Sequence, residues 1–132
     1  MLSKQFISQY KSLNKKRLLT KSVRGVMMVK EITKEEFESK VLRNSKHAIV
    51  DLWASWCGPC RMLAPVLEEL EGELKEADFF KLDTEKYADI ASQLGVMSIP
   101  TLIIFKGGSE IGRISGFKPK PQLKEELQKI MA

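Results

Sequence analysis

The most informative stretch of this 132-residue chain is AIVDLWASWCGPC at residues 48–60. Its first half is apolar apart from Asp51, which is typical of a parallel strand buried on both faces. After Cys57, leucines and valines recur every three or four positions as far as about Glu73, which predicts a helix interrupted at Pro65. A strand that leads directly into a helix, with two cysteines at the junction, indicates an α/β protein.

Further elements extend this pattern on both sides of the stretch. The periodicity predicts a strand at 26–29, a helix from Thr33 to about Arg43, a strand at 79–82, a helix at 87–94, a hairpin of 101–105 and 111–114, and a last helix from Pro121. The resulting order, β-α-β-α-β-α-β-β-α, predicts a central mixed β-sheet flanked by helices on both faces.

The formal net charge of +5 is distributed unevenly along the chain. Residues 1–30 carry eight Lys or Arg and no acidic residue, whereas the remaining 102 residues carry 14 basic and 17 acidic residues. The body is therefore mildly acidic, and a basic nucleic-acid-binding domain is not expected. For the same reason we expect no nucleic-acid partner. No apolar stretch approaches the roughly 20 residues of a membrane span, so we also expect no membrane insertion.

This charge distribution divides the chain into a basic extension at 1–28 and one domain at 29–132. The extension is compatible with a flexible or loosely docked tail, a targeting segment, or an amphipathic helix with a binding role. Lysines interrupt the apolar run that a secretory signal requires, so we expect a cytoplasmic protein in a reducing compartment. A mitochondrial matrix or similar organelle, reached through residues 1–26, is the alternative.

Both cysteines of the chain lie in Cys57-Gly58-Pro59-Cys60, between the predicted strand and helix. Residues three apart on a first helical turn are separated by about 5–6 Å, so a disulfide can close between them. The helix N-terminus favours the thiolate of Cys57, which we expect to be the nucleophile. Cys60 lies one turn further on with less access to solvent, and we expect it to displace the partner that Cys57 captures.

Other interpretations of the cysteine pair are weaker. A structural disulfide across so short a loop removes little chain entropy and would stabilise the fold only slightly. A zinc site needs four ligands, but the chain has no third cysteine and one histidine, His47, so no metal is expected. Two unrelated buried cysteines remain open as an alternative.

Three further residues are unusual in their sequence context. Asp51 stands within an apolar strand, where burial would raise its pKa and let it exchange protons near neutral pH; an exposed edge position is the alternative. Lys81 also stands in an apolar strand, where a lysine whose amine reaches the surface is the alternative. Pro100 begins a strand, or forms a cis peptide bond that brings its loop against the cysteines.

From about Val29 to Ala132 the chain resembles the thioredoxin family. The resemblance rests on WASWCGPC at 53–60, with further family positions at Asp51, Pro65, Lys81, Pro100 and Gly116. It implies the thioredoxin fold and a protein-disulfide reductase that needs no cofactor beyond its own redox-active disulfide. It also implies a thioredoxin-reductase-like partner, disulfide-containing substrate proteins and a monomeric state.

The resemblance also implies roles for individual residues. Asp51, helped by Lys81, would take the proton of Cys60 through water. An apolar collar would receive an extended substrate chain, and Ile99 would pair with that chain through its backbone. The collar residues are Trp56, Gly58, Pro59, Ile99, Pro100 and Gly116. An isomerase or oxidase of the same fold, or a redox-independent binding subunit, are the alternative functions.

Overall fold

The computed structural model describes residues 29–132. The basic extension at 1–28, and with it most of the strand predicted at 26–29, therefore lies outside the described residues. Val29 is buried but belongs to no strand, and the first described strand begins at Lys30.

The observed elements follow the predicted order. They are β1 (Lys30–Glu31), α1 (Lys34–Glu36, continued by a π-helix at Phe37–Leu42), β2 (His47–Trp53), α2 (Gly58–Glu73), β3 (Ala77–Asp83), α3 (Ala88–Gln93), β4 (Thr101–Lys106), β5 (Ser109–Ser115) and α4 (Lys120–Met131). The strands form one sheet in the order β1-β3-β2-β4-β5. The prediction of a central mixed sheet is confirmed: β2 is the middle strand, parallel to β3 and antiparallel to β4.

Helices cover both faces of the sheet, as predicted. Because side chains of a strand alternate between its faces, β2 contributes apolar residues to two separate cores. On one face, α2 and α4 bury Leu67 and Leu127 against Ile49. On the other face, Val41 of the π-helical segment and Ile90 of α3 are buried against the sheet.

The first helix departs from the prediction of an α-helix that continues to Arg43. The capping box is present, because the Thr33 hydroxyl accepts from the Glu36 N–H and the Glu36 carboxylate accepts from the Thr33 N–H, both at 3.1 Å. After Glu36 the helix widens, and the Arg43 N–H donates to the Glu38 carbonyl, five residues earlier, at 3.1 Å. A capping box specifies where a helix begins, not which hydrogen-bond spacing follows it.

The β4–β5 hairpin brings the ends of two loops together. Gly107 and Gly108 have φ angles of 60° and 83°, the positive values that a type I′ turn requires at both central positions. This turn pairs Thr101 with Ser115 at the opposite end of the hairpin. Pro100 and Gly116, which adjoin that pair, are therefore neighbours although 16 positions separate their numbers.

Candidate active site

Helix α2 begins at the cysteine motif. Cys57 is its N-cap residue, and the Cys57 Sγ accepts a hydrogen bond from the Cys60 N–H at 3.2 Å. The N–H groups of a first helical turn lack partners within the helix and carry its positive dipole end. Negative charge on Cys57 is therefore stabilised by the backbone. The helix extends to Glu73 and includes Pro65, where we predicted an interruption.

The two cysteines are joined by a disulfide, with their Cα atoms 5.2 Å apart. This separation lies within the usual range for a disulfide, so the prediction that the pair can bridge is confirmed. Both residues are 4% exposed and pack with Ala54, Trp53 and Ile99. The predicted difference in solvent access between Cys57 and Cys60 is not present in this oxidised state.

A second loop lies against the disulfide. The Ile99–Pro100 peptide bond is cis, as one of the two sequence interpretations predicted. The carbonyl oxygen of Ile99 lies 3.8 Å from the Cys57 Sγ, and the Gly116 N–H donates to the Pro100 carbonyl at 2.8 Å. Gly116 has a φ of 85°, a backbone conformation that residues other than glycine rarely adopt.

The six candidate substrate-binding residues lie in the cysteine motif and in the two loop segments linked to it by the Ile99–Cys57 and Gly116–Pro100 contacts. They are Trp56, Gly58, Pro59, Ile99, Pro100 and Gly116. Trp56 is 65% exposed although it is large and apolar, and Pro59 and Gly116 are also exposed. Pro100 is buried, and Ile99 is partly buried against the cysteines. Trp56 and Pro59 thus present exposed apolar side chains next to the bridged cysteines.

Asp51 is buried within β2, which excludes the alternative of an exposed edge position. Its residue is 4% exposed, and its Oδ1 accepts no hydrogen bond from any residue that the structure describes. Burial raises the pKa of Asp51 from 3.8 to about 7, and the positive charge of Lys81 opposes this increase. At neutral pH the carboxyl group is therefore poised between its protonated and ionised forms.

Lys81 lies opposite Asp51 in the register of β2 and β3. Its Nζ is 4.9 Å from the centroid of the Trp53 ring, a cation–π contact between two strands that the sequence pattern alone does not predict. The sequence feature that points to this contact is the alternation of side chains along a strand, which places Asp51 and Trp53 on the same face of β2. Burial also raises the pKa of Glu68 on α2, and the charge of Lys81 opposes that increase as well. One lysine thus interacts with two carboxyl groups and an indole ring.

Between residues 29 and 132, no group of three or more His, Cys, Asp or Glu side chains could hold a metal ion. No helix in the same region is both long and apolar enough to cross a bilayer. A cleft of about 380 Å³ lies away from the cysteines, between Lys30, Lys40, Asn44 and Asp78, and contains none of the candidate residues.

Comparison with known proteins agrees with this geometry. The family model described as Thioredoxin matches residues 28–129. The thioredoxins of Staphylococcus epidermidis and Staphylococcus aureus are each 47% identical to this chain over 104 residues, which are 78% of this chain and 98% of each relative. Since the matched region contains the bridged pair Cys57–Cys60, the chain belongs to the thioredoxin family and is a protein-disulfide reductase in which this pair, rather than a cofactor, is the redox-active group.

Proposed function

We propose that Cys57 attacks the substrate disulfide and that Cys60 resolves the product. The Cys57 thiolate forms a bond to one substrate sulfur, and the substrate S–S bond breaks to release the first thiolate, which is protonated from solvent. Cys60 then loses its proton, attacks the Cys57 Sγ and releases the second substrate sulfur. Two electrons pass to the substrate, and the Cys57–Cys60 disulfide forms. The N-cap position of Cys57 supports this order, because only its sulfur accepts from the helix backbone.

Asp51 accepts the proton of Cys60 in this proposal, through water. A carboxyl group whose pKa is about 7 can both accept and return a proton near neutral pH. Lys81 assists because its charge stabilises the ionised carboxylate, which is the form that accepts a proton. The contact with the Trp53 ring supports a fixed position for the Lys81 amine.

The collar of Trp56, Gly58, Pro59, Ile99, Pro100 and Gly116 receives an extended segment of the substrate. The exposure of Trp56 and the short distance between Ile99 and Cys57 support this assignment. The backbone of Ile99 would pair with the substrate chain, which gives affinity without requiring one side-chain sequence. Such a surface suits many disulfide-containing proteins.

The remaining parts of the proposal concern the cellular setting. Residues 29–132 are the catalytic domain, and residues 1–28 are a separate extension. The match of the family model to residues 28–129 supports this division. A thioredoxin-reductase-like protein returns electrons to the Cys57–Cys60 disulfide. The protein acts as a monomer in the cytoplasm or another thiol-reducing compartment.

Single-cysteine variants test the order of attack. With insulin as the substrate, Cys60→Ser should accumulate a mixed disulfide through Cys57, whereas Cys57→Ser should trap none. Equal trapping by both variants would contradict the assigned roles.

The double variant Cys57→Ser/Cys60→Ser should lose all reductase activity, and retention of the biological activity by that variant would instead favour a redox-independent binding subunit. A strongly oxidising redox potential would favour an oxidase or isomerase.

A further inference from the structure

Met97 is an apolar side chain with almost no contact to the rest of the described domain. It is 96% exposed, more than any other large apolar residue between 29 and 132. Its segment connects α3 to β4. An apolar side chain stabilises a fold through burial, so Met97 contributes little to folding in this position.

The position of Met97 relative to the cysteines is informative. Two peptide units separate it from Ile99, so their Cα atoms are at most about 7.6 Å apart. The Ile99 carbonyl oxygen is 3.8 Å from the Cys57 Sγ. Met97 therefore lies in the same loop as the residue whose carbonyl contacts Cys57, and its flexible four-atom side chain is exposed on that loop.

Apolar exposure is concentrated around the same place. Five large apolar residues of the described region are exposed, namely Trp56, Met62, Met97, Ile111 and Phe117. Trp56 precedes Cys57, and Phe117, 36% exposed, follows Gly116, whose N–H donates to the Pro100 carbonyl. Three separate segments thus present apolar side chains around one disulfide, whereas single exposed apolar residues elsewhere on a surface are ordinary.

We infer that Met97 is a specificity-determining residue that contacts an apolar side chain next to the reactive cysteine of a protein substrate. This inference rests on the proposed docking of substrates along Ile99. Methionine is unbranched and polarisable, so it fits apolar neighbours of different shapes. A polar substrate residue at the same place would lose water without gaining a hydrogen-bond partner, so such substrates react more slowly.

Two peptides test the inference, each containing one disulfide and identical except for Leu or Asn beside the reactive cysteine. The rate constant for reduction of each peptide is measured with the full-length reduced protein and with Met97→Gln, Met97→Leu and Ile111→Gln. Ile111→Gln is the matched control, because Ile111 is 41% exposed but lies near the Lys106–Ser109 end of the hairpin, away from Pro100.

The unsubstituted protein should reduce the Leu peptide about tenfold faster than the Asn peptide, a preference equivalent to about 1.4 kcal/mol. Met97→Gln should lose most of this preference, and both Met97→Leu and Ile111→Gln should keep it. A preference that survives Met97→Gln, or that is absent from the unsubstituted protein, overturns the inference and leaves the reductase function intact. Failure of the unsubstituted protein to reduce either peptide would instead overturn the proposed function.

Discussion

Asp51 shows how strongly one residue can depend on its surroundings. An aspartate in water is ionised at neutral pH, but burial in β2 raises the pKa of this one to about 7. Its Oδ1 is buried without a hydrogen-bond partner among residues 29–132, so negative charge on that oxygen is not compensated by a hydrogen bond from the described residues. The positive charge of Lys81 opposes the increase in the pKa of Asp51 but only moderates it. These properties suit a group that exchanges protons rather than one that stabilises the fold.

The replacement Asp51→Ala should slow resolution more than initial attack. Removal of a general base typically lowers a rate by about 10²-fold or more, while attack by an already ionised Cys57 needs no base. Single-turnover kinetics with a disulfide peptide would separate the two steps. Lys81→Met is the companion variant: without its charge the pKa of Asp51 rises further, so the pH at which resolution reaches half its maximum should increase. Equal slowing of both steps by Asp51→Ala would contradict the proposed role of Asp51 as the base for Cys60.

At the scale of elements, the packing of α4 against β5 has a requirement that the sequence pattern does not reveal. Gly112 lies in β5, and a Cβ atom built at this residue would lie 2.8 Å from the Ile130 Cγ2 and 3.1 Å from its Cδ1. Real Cβ atoms do not approach other carbons this closely, so a side chain at residue 112 would force the partly buried Ile130 side chain of α4 to shift. By contrast, a Cβ atom at Gly72 in α2 would meet nothing within 4 Å.

Gly112→Ala should therefore lower the free energy of unfolding by about 1–3 kcal/mol, the usual cost of overpacking. Gly72→Ala is the matched control and should raise the free energy of unfolding by about 0.5–1 kcal/mol, because alanine is the better helix former. Denaturant unfolding of the oxidised protein measures both. The double variant Gly112→Ala/Ile130→Ala should be more stable than the sum of the single effects, since the clash is gone. Stabilisation by both glycine replacements would refute this account.

The elements themselves were predictable where local signals suffice. The strand at 48–54 and the helix after Cys57 were recognised from periodicity, and the structure has β2 at His47–Trp53 and α2 at Gly58–Glu73. The π-helical segment at Phe37–Leu42 was not predicted, because nothing in the capping signal at Thr33 specifies hydrogen bonds five residues apart. Its first residue packs its ring edge-on against that of Phe105, with centroids 5.6 Å apart, a contact between distant segments.

The buried carboxyl group also affects the stability of the whole molecule. The pKa of Asp51 is raised in the folded protein, so between about pH 4 and 7 the folded state holds a proton that the unfolded chain has released. This contribution to stability is fully present below the unfolded pKa and is lost as the pH rises through the folded value. The oxidised protein should therefore lose stability, through this residue, on going from pH 5 to pH 8.

We predict that the free energy of unfolding falls by about 2–3 kcal/mol between pH 5 and pH 8, relative to that of Asp51→Asn, whose amide does not ionise. Denaturant unfolding of both proteins at several pH values measures the difference, which cancels the contributions of all other groups. A constant difference between Asp51→Asn and the unsubstituted protein would show that Asp51 titrates normally.

Chemistry that depends on neighbours along the chain can be predicted from the sequence alone. Cys57 and Cys60 stand one helical turn apart wherever a helix starts at the motif, so their ability to bridge follows from local geometry alone. Contacts between distant segments depend on the tertiary structure, as in the Ile99 carbonyl beside Cys57 and the Lys81 amine against Trp53. The exposure of Met97 depends on it as well. These contacts depend on the order and register of the strands, which the burial of both sheet faces selects and no single segment encodes.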